Sequence, residues 1–91
     1  MQALNYRKQR LEFSSRMLLV QLFDHEGKAN EYTENTITNM ITHMQWTPKF
    51  ANKIASFSTR KGYIKHNKNQ LHLTDFGREV AKQTLVSYPL G

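Results

Sequence analysis

Between Lys49 and Lys68 the chain carries six cationic side chains (Lys49, Lys53, Arg60, Lys61, Lys65 and Lys68) and no acidic one. Cations without competing carboxylates suit the neutralisation of phosphate above other chemistry. Lys49, Lys53, Ser56 and Arg60 follow one another at intervals of four, three and four residues, which stacks them on a single face of a helix. On such a face Lys49, Lys53 and Arg60 would meet phosphates, and Ser56 would come near a base edge. Base edges are usually read by Arg, Asn or Gln. This face is lysine-rich with Asn52 at its margin, so backbone contact is better supported than sequence reading. Lys65, His66 and Lys68 form a second basic cluster. The same residues also suit an ordinary solvated surface, and spacing alone does not separate the two.

The other reactive residue types do not assemble. His25, His43, His66 and His72 show no metal-ligand spacing, and the chain has no cysteine. That removes thiolate ligands, Cys nucleophiles and disulfides together. His25 and Glu26 are neighbours, and adjacent side chains on a helix point in different directions. There is no nucleophile elbow, no glycine-rich phosphate loop and no acid–base pair at a workable spacing. Gly27, Gly62, Gly77 and Gly91 each fit a cap, a junction or a terminus. The reading is a non-enzymatic chain with no metal site and no cofactor.

Ninety-one residues make one domain with a single small core. Hydrophobic residues account for 38%, with five Phe, four Tyr and one Trp, enough to close that core without staples. The net charge of +6 is spread unevenly. Residues 1–16 set Arg7, Lys8, Arg10 and Arg16 against Glu12, whereas residues 17–46 set Asp24, Glu26, Glu31 and Glu34 against Lys28. Such separation suggests a side that faces a polyanion. No apolar run is long enough for a membrane span, and the charged N-terminus lacks the apolar centre of a signal peptide. With the absence of cysteine, this points to a cytoplasmic location.

The elements that must position the basic face follow from periodicity and caps. Leu11, Leu18 and Leu22 share a stripe that Leu19 and Phe23 widen, so a first helix is expected from about Leu4 to Phe23. Its first half is polar and basic, and only its second half is expected to dock fully. Asp24–Gly27 ends it, and residues 28–32 read as a polar connection. Thr33 or Asn35 would cap a second helix reaching Met44, in which Ile37, Met40, Ile41 and Met44 form one apolar stripe. Trp46 belongs with the core, and Thr47-Pro48 opens a third helix at 48–61. Phe50, Ala51, Ile54, Ala55 and Phe57 lie on its apolar side, and Gly62 stops it. Tyr63–His66 and Gln70–Leu73 read as strands around an Asn67-Lys68-Asn69 turn, with Ile64, Leu71 and Leu73 inward. Thr74 then caps a last helix that brings Phe76, Val80, Ala81 and Leu85 to the core. The order α-α-α-β-β-α is a mainly α fold with a small β-hairpin, a winged helix-turn-helix whose second and third helices form the pair and whose hairpin is the wing.

The string Leu71-His72-Leu73-Thr74-Asp75-Phe76-Gly77-Arg78-Glu79-Val80-Ala81 resembles the strand-to-helix junction of bacterial and archaeal winged-helix domains, MarR-like and iron-dependent-repressor-like regulators among them. Arg60-Lys61-Gly62-Tyr63-Ile64 is similar to the segment that leads into the wing in those domains, and the likeness covers residues 17–86. A narrower likeness involves Arg7-Lys8-Gln9-Arg10-Leu11, Met17-Leu18-Leu19-Val20, Asp24-His25-Glu26-Gly27, and His43-Met44-Gln45-Trp46 with Phe50-Ala51. These look like the cytosolic C-terminal winged-helix extension of bacterial metal-ion ABC transporter permeases, importers of zinc, manganese or iron. That resemblance implies an excised regulatory domain at the cytosolic face of the inner membrane, with a membrane transporter subunit as partner. It also implies contact of residues 7–16 with anionic lipid.

Three segments are thus expected: a basic N-terminal helical arm or linker at 1–16, the winged helix at 17–86 and a loose C-terminal tail at 87–91. Two functions stay open. One is the regulatory domain of a metal-ion ABC permease. The other is a stand-alone transcription regulator binding duplex DNA through the helix at 48–61 and the wing at 63–73. Its contacts would be Lys49, Lys53, Ser56, Arg60, Lys61, Lys65 and Lys68, with the first helix as a homodimer arm.

Overall fold

The computed structural model describes residues 2–87, with side chains from Gln9 onward. Its elements are α1 (Gln2–His25), α2 (Glu31–Glu34), α3 (Ile37–Met44), α4 (Pro48–Arg60), β1 (Ile64–Asn67), β2 (Gln70–Leu73) and α5 (Asp75–Ser87). The fold is mainly helical with one two-stranded antiparallel hairpin. Of the tail expected at 87–91, Ser87 closes α5 and residues 88–91 lie outside the described residues.

Apolar stripes from every long element meet in one core. Leu18, Leu19 and Leu22 of α1, Met40 of α3, Ile54 of α4, and Val80 and Ala81 of α5 close around Tyr63, Ile64, Leu71 and Leu73 of the hairpin segment. A fully buried Leu or Ile contributes about 1.5–3 kcal/mol, so this set drives the assembly. Helix α1 packs against both α5 and α4. It runs unbroken through the boundary expected at residue 16. Leu11 packs against the core, and Ser15 is fully buried. Ser15 and Ser58 of α4 share a hydrogen bond of 2.6 Å.

The start of α3 departs from expectation. The connection at 28–32 leads into a helical turn, α2, and the cap of α3 is Thr36, whose Oγ1 accepts from Asn39 N at 3.0 Å. Neither Thr33 nor Asn35 caps it. Asn35 turns into the core, where its amide donates to Leu22 O at 3.0 Å. Backbone at 35–37 instead pairs with the hairpin: Leu71 N donates to Asn35 O and Ile37 N to Asn69 O, each at 3.0 Å, around a bridge between Thr36 and Gln70.

That pairing also sets the hairpin. Strand β1 begins at Ile64, not Tyr63, and runs to Asn67, in register Ile64↔Leu73 to Asn67↔Gln70. Lys68-Asn69 is left as the turn, and the left-handed residue is Lys68 (φ 57°), not an asparagine. Asn69 is committed to α3: its Oδ1 accepts from Thr38 N at 3.1 Å and from Thr38 Oγ1 at 3.2 Å.

Helix α5 buries Gly77, Val80, Ala81 and Thr84. Phe76 and Leu85, expected in the core, are 57% and 37% exposed, because the cap and the glycine set the rotation of the helix. Thr74 Oγ1 accepts from Gly77 N at 2.9 Å while donating to Gly62 O at 2.6 Å. A Cβ on Gly77 would collide with the carbonyl of Tyr63, so only glycine can face the strand there. Phe76 then falls beside the stripe, its ring 5.5 Å from that of Tyr63.

Candidate nucleic-acid interface

Helix α4 begins with Thr47, whose Oγ1 accepts from Phe50 N at 3.1 Å, and with Pro48 in its first turn. Ala51, Ile54, Ala55 and Ser58 face the core. Lys49, Lys53, Ser56 and Arg60 are all exposed, on the side opposite that core at the spacing of successive turns. Among the described residues none of the four takes part in an ion pair or side-chain hydrogen bond. Asn52 spends its amide on Pro48 O at 3.0 Å. The face therefore presents free cations and one hydroxyl, with no free carboxamide for base reading.

Lys65 and Lys68 are exposed on the hairpin, Lys65 standing across from His72. The hairpin tip is tied to the first turn of α3 through Asn69. Between them lies an open groove of about 710 Å³ whose lining includes Thr38, Asn39, Thr42 and Lys68. The first N–H groups of α3 already bond to Asn69 and Thr36, so this helix start is not an anion cradle.

Lys61 stands apart from the other expected contacts. Its Nζ is 3.9 Å from Glu12 Oε1 and 5.8 Å from the centre of the Phe57 ring. Glu12 also accepts from Arg16 Nε at 2.7 Å and from the Tyr63 hydroxyl at 2.9 Å. Burial, and then that hydrogen bond, push the Tyr63 phenol above its ordinary range. Arg16 reaches Thr84 Oγ1 as well, at 3.4 Å. Two of the chain's basic residues are thus turned toward one carboxylate in the seam between α1 and the body.

Sequence reading missed one residue of this surface. Arg10 places its guanidinium carbon 5.0 Å from the centre of the Phe50 ring. Phe50 meets Trp46 edge-on, with ring centres 5.5 Å apart at 77°. Arg10 is exposed and has no acidic partner among the described residues. No signal in the sequence links positions 10 and 50, because the contact depends on how α1 packs on α4.

A separate charged cluster joins α5 to the end of α1. Arg78 forks onto Glu26, with bonds of 2.7 and 2.8 Å, and reaches Asp75 at 2.7 Å. The guanidinium holds the Glu26 carboxyl below its ordinary range. Among the described residues no group of three or more His, Asp or Glu side chains could hold a metal ion. No described helix is long and apolar enough to cross a membrane. Comparison with protein-family models, with curated proteins and with solved structures gives no match.

Proposed function

We propose that this chain is a winged-helix module that binds duplex DNA chiefly through the phosphate backbone. The observation that carries this reading is the α4 face, where Lys49, Lys53, Ser56 and Arg60 stand exposed and unpaired opposite the core. In this reading α3 and α4, joined by the short Gln45-Trp46-Thr47 link, are the helix-turn-helix pair, and β1–β2 is the wing. The bridge from Thr36 to Gln70 serves as the remnant of a third strand that anchors the wing. Helix α4 would lie in the major groove with Lys49, Lys53 and Arg60 on phosphates and Ser56 near a base edge. Lys65 and Lys68 would contact the flanking backbone. Affinity would come from counterion release, so sequence preference would be weak and salt dependence steep.

The test is the binding of a labelled duplex over a series of salt concentrations. The parent chain should bind at low salt, and its affinity should fall linearly with salt on logarithmic axes. Lys53→Glu combined with Arg60→Glu should abolish binding. Equal affinity in the double variant would overturn α4 as the contact surface.

A second reading is the regulatory domain of a metal-ion ABC permease. The observation favouring it is that α1 is one continuous helix whose basic half, with Arg7, Lys8 and Arg10, precedes the docked half. Basic residues of this kind suit the cytosolic side of an anionic bilayer. A gene encoding a series of apolar helices in frame before residue 1 would support it, and a cellular product that starts at Met1 would overturn it.

A further inference from the structure

We infer that the phosphate-binding surface extends from α4 onto α1, with Arg10 as a further backbone contact held in place by the ring of Phe50. The inference rests on the duplex-binding reading above. Arg10 and Phe50 are brought together by the packing of α1 on α4, at 5.0 Å from guanidinium carbon to ring centre. The ring is itself fixed, since Phe50 packs partly against the core and Trp46 braces its edge. Contact through the ring face uses none of the N–H donors of the guanidinium. Arg10 is therefore restrained before binding yet keeps its whole fork for a phosphate, which lowers the entropy cost of the contact.

Two further observations separate Arg10 from the other basic residues near it. Arg16 and Lys61 are both turned toward Glu12, whereas Arg10 has no carboxylate partner among the described residues. Phe50 also sits three residues before Lys53, so that lysine neighbours it on the helix surface. Arg10 rests on the ring that Lys53 neighbours, so a polyanion seated on the α4 face would meet Arg10 as well. An anionic bilayer could attract a basic helix as well, but it would call on α1 alone. Continuity with the α4 face favours a duplex.

The experiment compares the parent chain, Arg10→Ala and Arg10→Lys by fluorescence anisotropy with a short labelled duplex across a salt series. Circular dichroism checks that each variant is folded. Losing one phosphate contact lowers the slope of log affinity against log salt by about one. Arg10→Ala should show that loss and Arg10→Lys should keep the parental slope. A parental slope and affinity in Arg10→Ala would overturn this inference and leave the duplex-binding reading standing. A parent chain that binds no duplex would overturn both. The inference would also fail if Arg10→Ala lost binding to phosphatidylserine vesicles while its duplex slope stayed parental, since that would assign Arg10 to a lipid surface.

Discussion

Ser15 of α1 and Ser58 of α4 share a hydrogen bond of 2.6 Å between two fully buried hydroxyls. Each is the partner that makes burial of the other tolerable. Ser58→Ala should therefore destabilise the chain by about 1–2 kcal/mol, because it leaves a buried hydroxyl without its partner. The double variant Ser15→Ala/Ser58→Ala should be more stable than either single one. Urea denaturation of the four proteins checks this, and simple additivity of the single effects would refute the coupling.

Gly77 gives a sharper steric prediction. A Cβ there would overlap the Tyr63 carbonyl, and that oxygen also accepts from Thr74 N at 3.0 Å. Gly77→Ala should push α5 off the hairpin and cost at least about 2 kcal/mol, read as a drop in melting temperature. A neighbouring control, Lys82→Ala on the exposed side of α5, should change stability little.

Asn69 is expected to control the position of the hairpin. Its Oδ1 serves both the N–H and the hydroxyl of Thr38. Asn69→Ala should cost about 1 kcal/mol, as loss of a helix cap does, and should speed hydrogen exchange at Thr38. Asn69→Asp should preserve the protection, because a carboxylate accepts the same bonds beside a helix N-terminus. Equal exchange in all three proteins would remove Asn69 as the tether.

The Glu26–Arg78 pair links stability to acid. The hydrogen bonds from Arg78 lower the Glu26 pKa from its ordinary 4.5, against the opposing effect of burial. A carboxyl lowered in the folded state supports folding above its unfolded pKa and withdraws that support as pH falls through the folded one. Both side chains are partly exposed, so the contribution is screened. Glu26→Gln should lose less stability than the parent between neutral pH and values below 4.5, as measured by denaturation at each pH. An identical pH dependence would show that the pair does not contribute.

Much of the fold was legible because its signals are local. Thr47-Pro48 opened α4, Thr74 capped α5, and Ile64, Leu71 and Leu73 pointed inward as their alternation implied. The face carrying Lys49, Lys53, Ser56 and Arg60 followed from helical spacing alone. Where expectation failed, a distant partner had intervened. Asn35 was drawn inward by Leu22, and Asn69 was claimed by Thr38. Phe76 yielded the core position to Gly77 because the Tyr63 carbonyl leaves no room for a side chain. Buried serines gave no signal, since an isolated Ser on a helix reads as surface until a second hydroxyl is brought against it.

The sequence by itself determined the four longer helices, the hairpin and the lysine-rich face of α4, because caps, turns and stripes depend on residues a few positions apart. Only the tertiary structure decided which cations stay free. Lys61 lies close to Glu12 and Arg10 rests on Phe50 through the packing of α1 on α4, and no local pattern encodes that packing. It is set by the fit of whole apolar faces around one core, together with a single buried serine pair whose members are 43 residues apart in the chain.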